Sequence, residues 1–334
     1  WKRIRDTYGP CSRYVNYATG VTGIMRPTVL AKRLLSADGG YLNSYGSYSS
    51  ACASYITPYI FGDSHFGNSP EDILNTSFLI FWGDNSTETI FGSERNYYLS
   101  KIKEKKIPVI AIDPRLSQTA IAYADEWIPV KPSTDAALAD AMAYTIFKEG
   151  LQDQEYMDKY CIGFDEAHMP EGVPANESYH SFLFGLKDGV ERTPEWAEAI
   201  TGVPADKIRE LARRLASAKP ACIISGYGIQ RTGNGEQATK AIATLAAMTG
   251  NIGISGGNAG GCGMTREHTG PSLALPPIEN PYKGSISIFL WTKAIEHGDE
   301  MTAREDRVHG VDRLDSKMRM ILNLAGNTLI NQHS

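Results

Sequence analysis

The chain reads as an α/β protein with mostly parallel sheets, and three observations lead there. Phe78-Leu79-Ile80-Phe81-Trp82 and Ile107-Pro108-Val109-Ile110-Ala111-Ile112 are continuous apolar runs, the pattern of strands covered on both faces, as parallel strands are. A helix through Tyr97 to Lys103 separates them, which completes a β-turn-α-β unit. The strand-to-turn pattern also recurs. Leu79-Ile80-Phe81-Trp82-Gly83-Asp84-Asn85-Ser86 and Leu322-Asn323-Leu324-Ala325-Gly326-Asn327-Thr328-Leu329 each run a strand into Gly, then Asp or Asn, and a hydroxyl residue. Two copies of one turn point to two related nucleotide sites.

The totals narrow the class. A chain of 334 residues fits two domains or one large α/β unit. Its 42% hydrophobic and 21% charged residues are ordinary for a globular protein. A net charge of −5 gives no reason to expect nucleic acid or an anionic membrane surface as partner. No apolar run approaches the roughly 20 residues that span a bilayer. Cys11, Cys52, Cys161, Cys222 and Cys262 include no C-x-x-C pair, which argues against zinc or iron–sulfur ligation within this stretch and against a disulfide framework. The chain opens at Trp1 and stops at Asn331-Gln332-His333-Ser334, directly after a motif. It therefore reads as part of something longer, and the lack of a targeting signal excludes no compartment.

Taken in order, Arg13 to Gly20 alternates like a strand and ends in a glycine. Tyr17 stands at its C-terminal end, where open α/β sheets hold ligands; the alternative is an aromatic packed on the sheet. Thr28 to Ser36, with Val29, Leu30, Leu34 and Leu35, is an amphipathic helix. In Ser47-Tyr48-Ser49-Ser50-Ala51-Cys52-Ala53, small hydroxyl residues and one thiol follow Gly46. This is either a helix start with Ser49 as cap or a ligand segment for an oxophilic metal. Pro70 to Leu74 is a helical turn. Gly83 to Thr89, closing the first apolar run, offers successive N–H groups that suit a phosphate, or is a plain polar loop.

Asp113-Pro114-Arg115 closes the second run, and an acid at that place in a βαβ unit holds a ribose hydroxyl. Asp125 to Val130 is a further short strand. Lys131-Pro132-Ser133-Thr134-Asp135 then caps a helix through Phe147 that stops at Gly150. Asp135 is either the cap itself or a carboxylate that accepts two N–H bonds from a guanine edge. Residues 151 to 203 are polar and turn-rich and carry no evident chemistry; His168 and His180 read as surface histidines. A helix started by Pro204 leads to the strand Ala221 to Ser225 and the turn Gly226-Tyr227-Gly228-Ile229-Gln230-Arg231. Arg231 replaces the third glycine of G-x-G-x-x-G, so this is a weak dinucleotide signal. After an Ala-rich helix from Asn234 to Thr249, the glycine-dense stretch Gly250 to Gly261 is a flexible linker or backbone packed closely on a planar ligand. Met318 to Leu324 is the last strand.

Together these strings resemble the catalytic subunits of the dimethyl sulfoxide reductase family of molybdenum enzymes. The resemblance covers almost the whole chain. It rests on Tyr45-Gly46-Ser47-Tyr48-Ser49, Gly83 through Thr89, Ile112-Asp113-Pro114-Arg115, Pro132-Ser133-Thr134-Asp135, Asn234-Gly235-Glu236-Gln237, Met248-Thr249-Gly250-Asn251-Ile252-Gly253 and Asn327-Thr328-Leu329-Ile330-Asn331-Gln332-His333. Each is common alone; their order and spacing are specific.

The resemblance implies two molybdopterin guanine dinucleotides that chelate one molybdenum through four sulfurs, with Ser49 as the protein's metal ligand. A hard alkoxide suits a high-valent metal already carrying soft sulfurs. Cys52 is the rival by chemistry but lies three residues off the matched position. One dinucleotide would be held by Trp82, Gly83, Asp84, Asn85, Thr87, Glu88, Thr89, Asp113, Pro114, Arg115 and Asp135. The other would be held by Gly326, Asn327, Thr328 and Asn331, and Gly226, Gly228, Gln230 and Arg231 would touch the pterin or pyrophosphate. Lys131 and Ser133 depart from the family, which often has Arg and Gly there.

The expected architecture is two Rossmann-like domains related by a pseudo-two-fold axis, with residues 61–264 inserted into a domain made of 1–60 and 265–334. The family also implies a cysteine-rich iron–sulfur segment ahead of Trp1 and a barrel-like domain after Ser334, so this stretch alone is not expected to turn over. The activity implied is removal of an oxygen atom from an S-oxide or N-oxide, with Tyr17 a hydrogen-bond donor to that oxygen. The implied partners are an iron–sulfur subunit and a membrane-anchor subunit, at the bacterial cytoplasmic membrane, the periplasmic side being one option. Two other readings stand beside this one. A metal-free scaffold of the same fold keeps the nucleotide turns; an NAD-dependent dehydrogenase explains Asp113 but leaves Ser49 and the Gly326 turn without a purpose.

Overall fold

The computed structural model describes residues 1–18, 26–63, 66–90, 94–258 and 276–327. Its contacts divide the chain into two units: Trp1–Ala51 with Thr269–Ser334, and the continuous stretch Cys52–His268.

The first unit begins with α1 (Lys2–Tyr8), β1 (Arg13–Val15), α2 (Pro27–Ala37) and β2 (Asn43–Tyr45). α1 buries no residue, and so leaves no apolar stripe for the sequence to reveal. α2 has Pro at its first position, where no N–H is needed, and turns Ala31, Leu35 and Ser36 inward. Leu30 and Leu34, expected on the packed face, are instead 38% and 46% exposed. The fully buried Arg13 is tolerated because it is paired. Its guanidinium donates to the Asp38 carboxylate at 2.6 Å, to the Asp38 carbonyl at 3.0 Å and to the Gly40 carbonyl.

The chain then runs through α3 (Ala51–Phe61), β3 (Phe78–Trp82), α4 (Glu94–Ile102), β4 (Val109–Ile112), α5 (Gln118–Tyr123), β5 (Glu126–Ile128) and α6 (Asp135–Lys148). After α7 (Gln154–Tyr160), α8 (Tyr179–Leu183), α9 (Pro194–Thr201) and α10 (Ala205–Ser217) come β6 (Ala221–Ser225) and α11 (Gly235–Met248). One sheet, ordered β5-β4-β3-β6, is parallel throughout. Every residue of β3, β4 and β6 is buried, which is why those strands read as unbroken apolar runs. Alternation divides them between two cores: Phe78, Ile80 and Trp82 join Leu138, Met142 and Ile146 of α6, while Leu79 and Phe81 join Leu99 and Ile102 of α4.

Two expectations need correction here. The stretch 151–203 holds three short helices, α7 to α9, each capped at its N-terminus by a side chain, from Asp153, Ser178 and Thr193. His180 is only partly exposed; its ring stacks on Phe184 with centroids 4.3 Å apart and meets Phe147 edge-on. In the described part of the glycine-dense stretch, Asp72 accepts the Ser255 hydroxyl and the Gly256 amide. Added methyls at Gly256 and Gly257 would collide with the backbone of Asn75 and Asn251. That part is packed protein; residues 259–261 lie outside the described residues.

The first unit resumes with β7 (Ser285–Ser287), α12 (Trp291–His297), α13 (Ala303–Asp306) and β8 (Met320–Leu322). β1 pairs with β8 and β2 with β7, both parallel, and a parallel bridge between Tyr14 and Leu42 links the two pairs. Tyr14, Leu42, Ile286, Trp291, Met301 and Met318 form the core beneath them.

Candidate functional site

In the second unit the site residues gather at the C-terminal edge of the parallel sheet. The register sets Trp82 opposite both Ile112 and Ser225, so Gly83, Asp113 and Gly226 leave the sheet at one level. Gly83 has φ +60°, a left-handed conformation glycine adopts readily. The Gly226 amide donates to the Trp82 carbonyl at 2.8 Å, and a Cβ on Gly226 would sit 1.9 Å from the Gly83 carbonyl oxygen. The two turns thus lie backbone against backbone. A Cβ on Gly228 would come no closer than 3.9 Å.

The loop after Gly83 is held by its own side chains. Buried Asp84 takes the Arg95 guanidinium on one oxygen at 2.9 Å, and the Ser86 hydroxyl and amide on the other at 2.5 and 3.3 Å. Asn85 accepts from the Thr119 amide and hydroxyl, and donates to Glu88. The Thr87 amide donates to the Thr119 hydroxyl, and the Glu88 and Thr89 amides donate to the Asn85 carbonyl. The amides of Gly83, Ser86, Thr87, Glu88 and Thr89, within the stretch read as a phosphate nest, are therefore engaged within the protein. Glu88 pairs at the surface with Arg115 at 2.6 Å.

Two carboxylates next to this loop face a different need. Asp113 accepts the Arg115 amide at 3.0 Å, and partial burial raises its carboxyl above the ordinary value. Asp135, at the first position of α6, accepts the Trp82 indole N–H at 2.9 Å, and burial raises its carboxyl as well. Trp82, named above as a cradle residue, is wholly buried and presents its indole to Asp135. Pro114 and Arg231 are exposed. An edge lined by desolvated acceptors suits ligand donors, such as ribose hydroxyls and purine N–H groups, better than it suits phosphate.

In the first unit the structure brings Tyr17 and Ser49 to one hydroxyl. The Tyr17 hydroxyl lies 3.1 Å from Ser47 Oγ, and the Ser49 amide donates to the same oxygen at 3.1 Å. Tyr48, between them in sequence, donates to the Ile288 carbonyl at 2.7 Å and packs edge-on against Tyr17 and Phe289. The sequence reading missed Ser47, whose place two residues before Ser49 was the available signal. It also missed Asn16. This buried side chain accepts the Leu324 amide at 3.0 Å and donates to Asn323 at 3.0 Å, fixing the approach to Gly326 and Asn327. A polar residue directly after the buried strand β1 was its mark. Gly326 and Asn327 are exposed; Thr328 and Asn331 lie outside the described residues.

A family profile described as molybdopterin oxidoreductase matches residues 1–333. The chain belongs to the molybdopterin oxidoreductase family. It is 47% identical over 342 residues to "Dimethyl sulfoxide reductase DmsA" of Escherichia coli (strain K12), an alignment covering 100% of this chain and 42% of that protein. It is 32% identical over 298 residues to the "Dimethyl sulfoxide/trimethylamine N-oxide reductase" of Cereibacter sphaeroides, covering 86% of this chain and 34% of that one. The chain thus spans less than half the length of these relatives. The solved acetylene hydratase from Pelobacter acetylenicus superposes with a TM-score of 0.59 at 24% identity, over 77% of this chain and 32% of that chain, and shares the fold. Membership in the molybdopterin oxidoreductase family implies a molybdenum–molybdopterin cofactor. In the second unit the acceptor-lined edge at Asp113 and Asp135 fits the hydroxyl and N–H groups of such a cofactor, and in the first unit the turn at Ser47 and Ser49 offers oxygen atoms of the kind its metal binds.

Proposed function

We propose that this chain carries the catalytic centre of a molybdenum reductase that removes an oxygen atom from S-oxides or N-oxides and binds two molybdopterin guanine dinucleotides. The names of the relatives support the substrate class. The observation that carries the reading is the shared hydroxyl of Ser47, which ties Tyr17 to the turn that holds Ser49.

When bound, the metal would take up the oxygen atom and supply the two electrons that reduce the substrate. Ser49 offers a hard alkoxide oxygen as the protein's ligand. Tyr17 donates a hydrogen bond to the substrate oxygen, and its contact with Ser47 keeps that donor next to the ligand turn. Asp113 accepts from a ribose hydroxyl and Asp135 from a guanine edge, while Gly83 and Gly226 let the two turns beside them pack backbone against backbone. Gly326, Asn327, Thr328 and Asn331 would hold the second dinucleotide. Electrons would arrive through an iron–sulfur subunit, with a membrane-anchor subunit tethering the assembly.

Ser49→Ala in the full-length, cofactor-loaded protein tests this. Sulfoxide reduction is expected to fall by on the order of a hundredfold, with an altered Mo(V) resonance spectrum. Undiminished turnover overturns the ligand role. Wild-type protein that binds neither molybdenum nor pterin would place the chain among scaffolds of this fold.

A further inference from the structure

We infer that Gln230 is a positioning residue that caps α3 from far along the chain and so fixes the start of the helix that follows Ser49. The inference rests on the proposed role of Ser49 as metal ligand. The first N–H groups of a helix have no partner within it, and most helices find one in the side chain just before them. α3 draws on a residue 178 positions away. Gln230 Oε1 accepts the Cys52 amide at 3.0 Å and the Ala53 amide at 3.3 Å.

Three features make this a built contact. Gln230 is 3% exposed, and its Nε2 donates to the Tyr227 carbonyl at 3.0 Å. That bond fixes which end of the amide faces α3, since the reversed amide would set its NH2 against two N–H donors and leave the Tyr227 carbonyl facing an oxygen. Next, Gly235 at the start of α11 lies directly beneath Gln230: a Cβ there would fall 1.9 Å from the Gln230 carbonyl oxygen and 2.7 Å from its Cα. The Gln230 backbone can hold this place because Gly235 has no side chain. Finally, the Cys52 thiol lies beside the start of α11, near Gly235 and Glu236.

One short turn and one helix N-terminus therefore grip the first turn of α3 through both backbone and side chain. The gripped residues begin three positions after Ser49, which ties the two along the chain to within about 11 Å. Gln230 would act on the metal through that connection, with its acceptor oxygen committed to α3.

The test compares Gln230→Leu, which removes the acceptor at similar volume, with Gln230→Glu, which keeps an oxygen for α3 and, measured at a pH where its carboxyl is protonated, an O–H for the Tyr227 carbonyl, in the full-length, cofactor-loaded protein. Hydrogen exchange of the peptide containing Cys52 and Ala53, molybdenum and pterin content, the Mo(V) spectrum, and kcat against KM for a sulfoxide are measured together. Gln230→Leu is expected to exchange roughly tenfold faster at those amides. It should keep its cofactor, show a shifted or split Mo(V) spectrum, and lose kcat with KM little changed. Gln230→Glu should bring exchange and spectrum back toward wild type. A Leu variant with wild-type exchange overturns the cap, and one with faster exchange but an unaltered spectrum overturns the positioning role. If the Leu variant does not fold, faster exchange in Gln230→Glu overturns the cap and wild-type exchange supports it. Should Ser49→Ala leave the spectrum unchanged, the ligand reading fails on its own, and the exchange data still decide the cap.

Discussion

One absent methyl group decides how β3 and β6 can end side by side. With the Gly83 carbonyl 1.9 Å from where a Gly226 Cβ would stand, Gly226→Ala must push the two strand ends apart and strain the bond from the Gly226 amide to Trp82. We expect a loss of about 3 kcal/mol in thermal unfolding, together with lower cofactor content. Gly228→Ala, with nothing nearer than 3.9 Å, should stay within about 0.5 kcal/mol of wild type. Equal melting temperatures for the two variants would defeat this account. The sequence singled out both glycines but for another reason, as part of a weak dinucleotide turn, because close approach of two backbones leaves no trace in either segment alone. Asp84 teaches the same lesson. Its bond to Ser86 follows from a local Asp-x-Ser spacing, whereas its partner Arg95 comes from the next helix and only the fold reveals it. Ser47 and Gln230 were likewise visible as polar residues near the right turns, and only three dimensions showed which atoms they serve.

At the scale of elements, α6 combines a legible face with one unexpected charge. Leu138, Met142 and Ile146, four apart, mark its buried stripe as the spacing predicts. Between them Asp140 accepts the Tyr179 hydroxyl at 2.8 Å, and burial raises its carboxyl from 3.8 to about 6. A carboxyl whose folded value exceeds its unfolded one binds its proton more tightly when folded. The resulting stabilisation is complete below about pH 4 and is lost as pH rises through 6. Asp140→Asn keeps an acceptor for Tyr179 and never ionises. It should therefore match wild type near pH 4 and exceed it by about 1–2 kcal/mol at pH 7.5. Melting curves at the two pH values check this, and a variant less stable at pH 7.5 would refute it. Strands buried on both faces, such as β3 and β6, and helices with a broad apolar stripe, such as α10, announced themselves in the sequence. The short α7, α8 and α9 did not, although their caps Asp153, Ser178 and Thr193 were there to be read. Over five to eight residues a helical period barely completes two turns, and the polar residues around it dominate the impression.

For the whole molecule, the order of the chain and the distribution of its cores lead to a prediction about folding. The strands of the first unit are three residues long and pair across most of the sequence, Arg13 with Met320 and Asn43 with Ser285. Each such pairing closes a very long loop, whose entropy cost rises only with the logarithm of its length but must be met before the pairing gives anything back. The second unit makes no such demand. The clusters around Ile80 and Leu138 and around Leu79 and Leu99 draw all their members from residues 73 to 248, and its sheet is assembled from strands within that span. A segment with its own core and sheet should fold without the ends of the chain, whereas the ends depend on being brought together. We therefore expect Cys52–His268, expressed alone, to unfold in one cooperative thermal transition by far- and near-ultraviolet circular dichroism. Its midpoint should lie within a few degrees of a transition seen in the complete chain. The two ends joined by a short linker in place of that segment should melt lower. A Cys52–His268 segment that keeps helical signal but lacks near-ultraviolet structure and a cooperative melt would show that its sheet needs the rest of the chain, and would sink the view of it as a self-sufficient insertion.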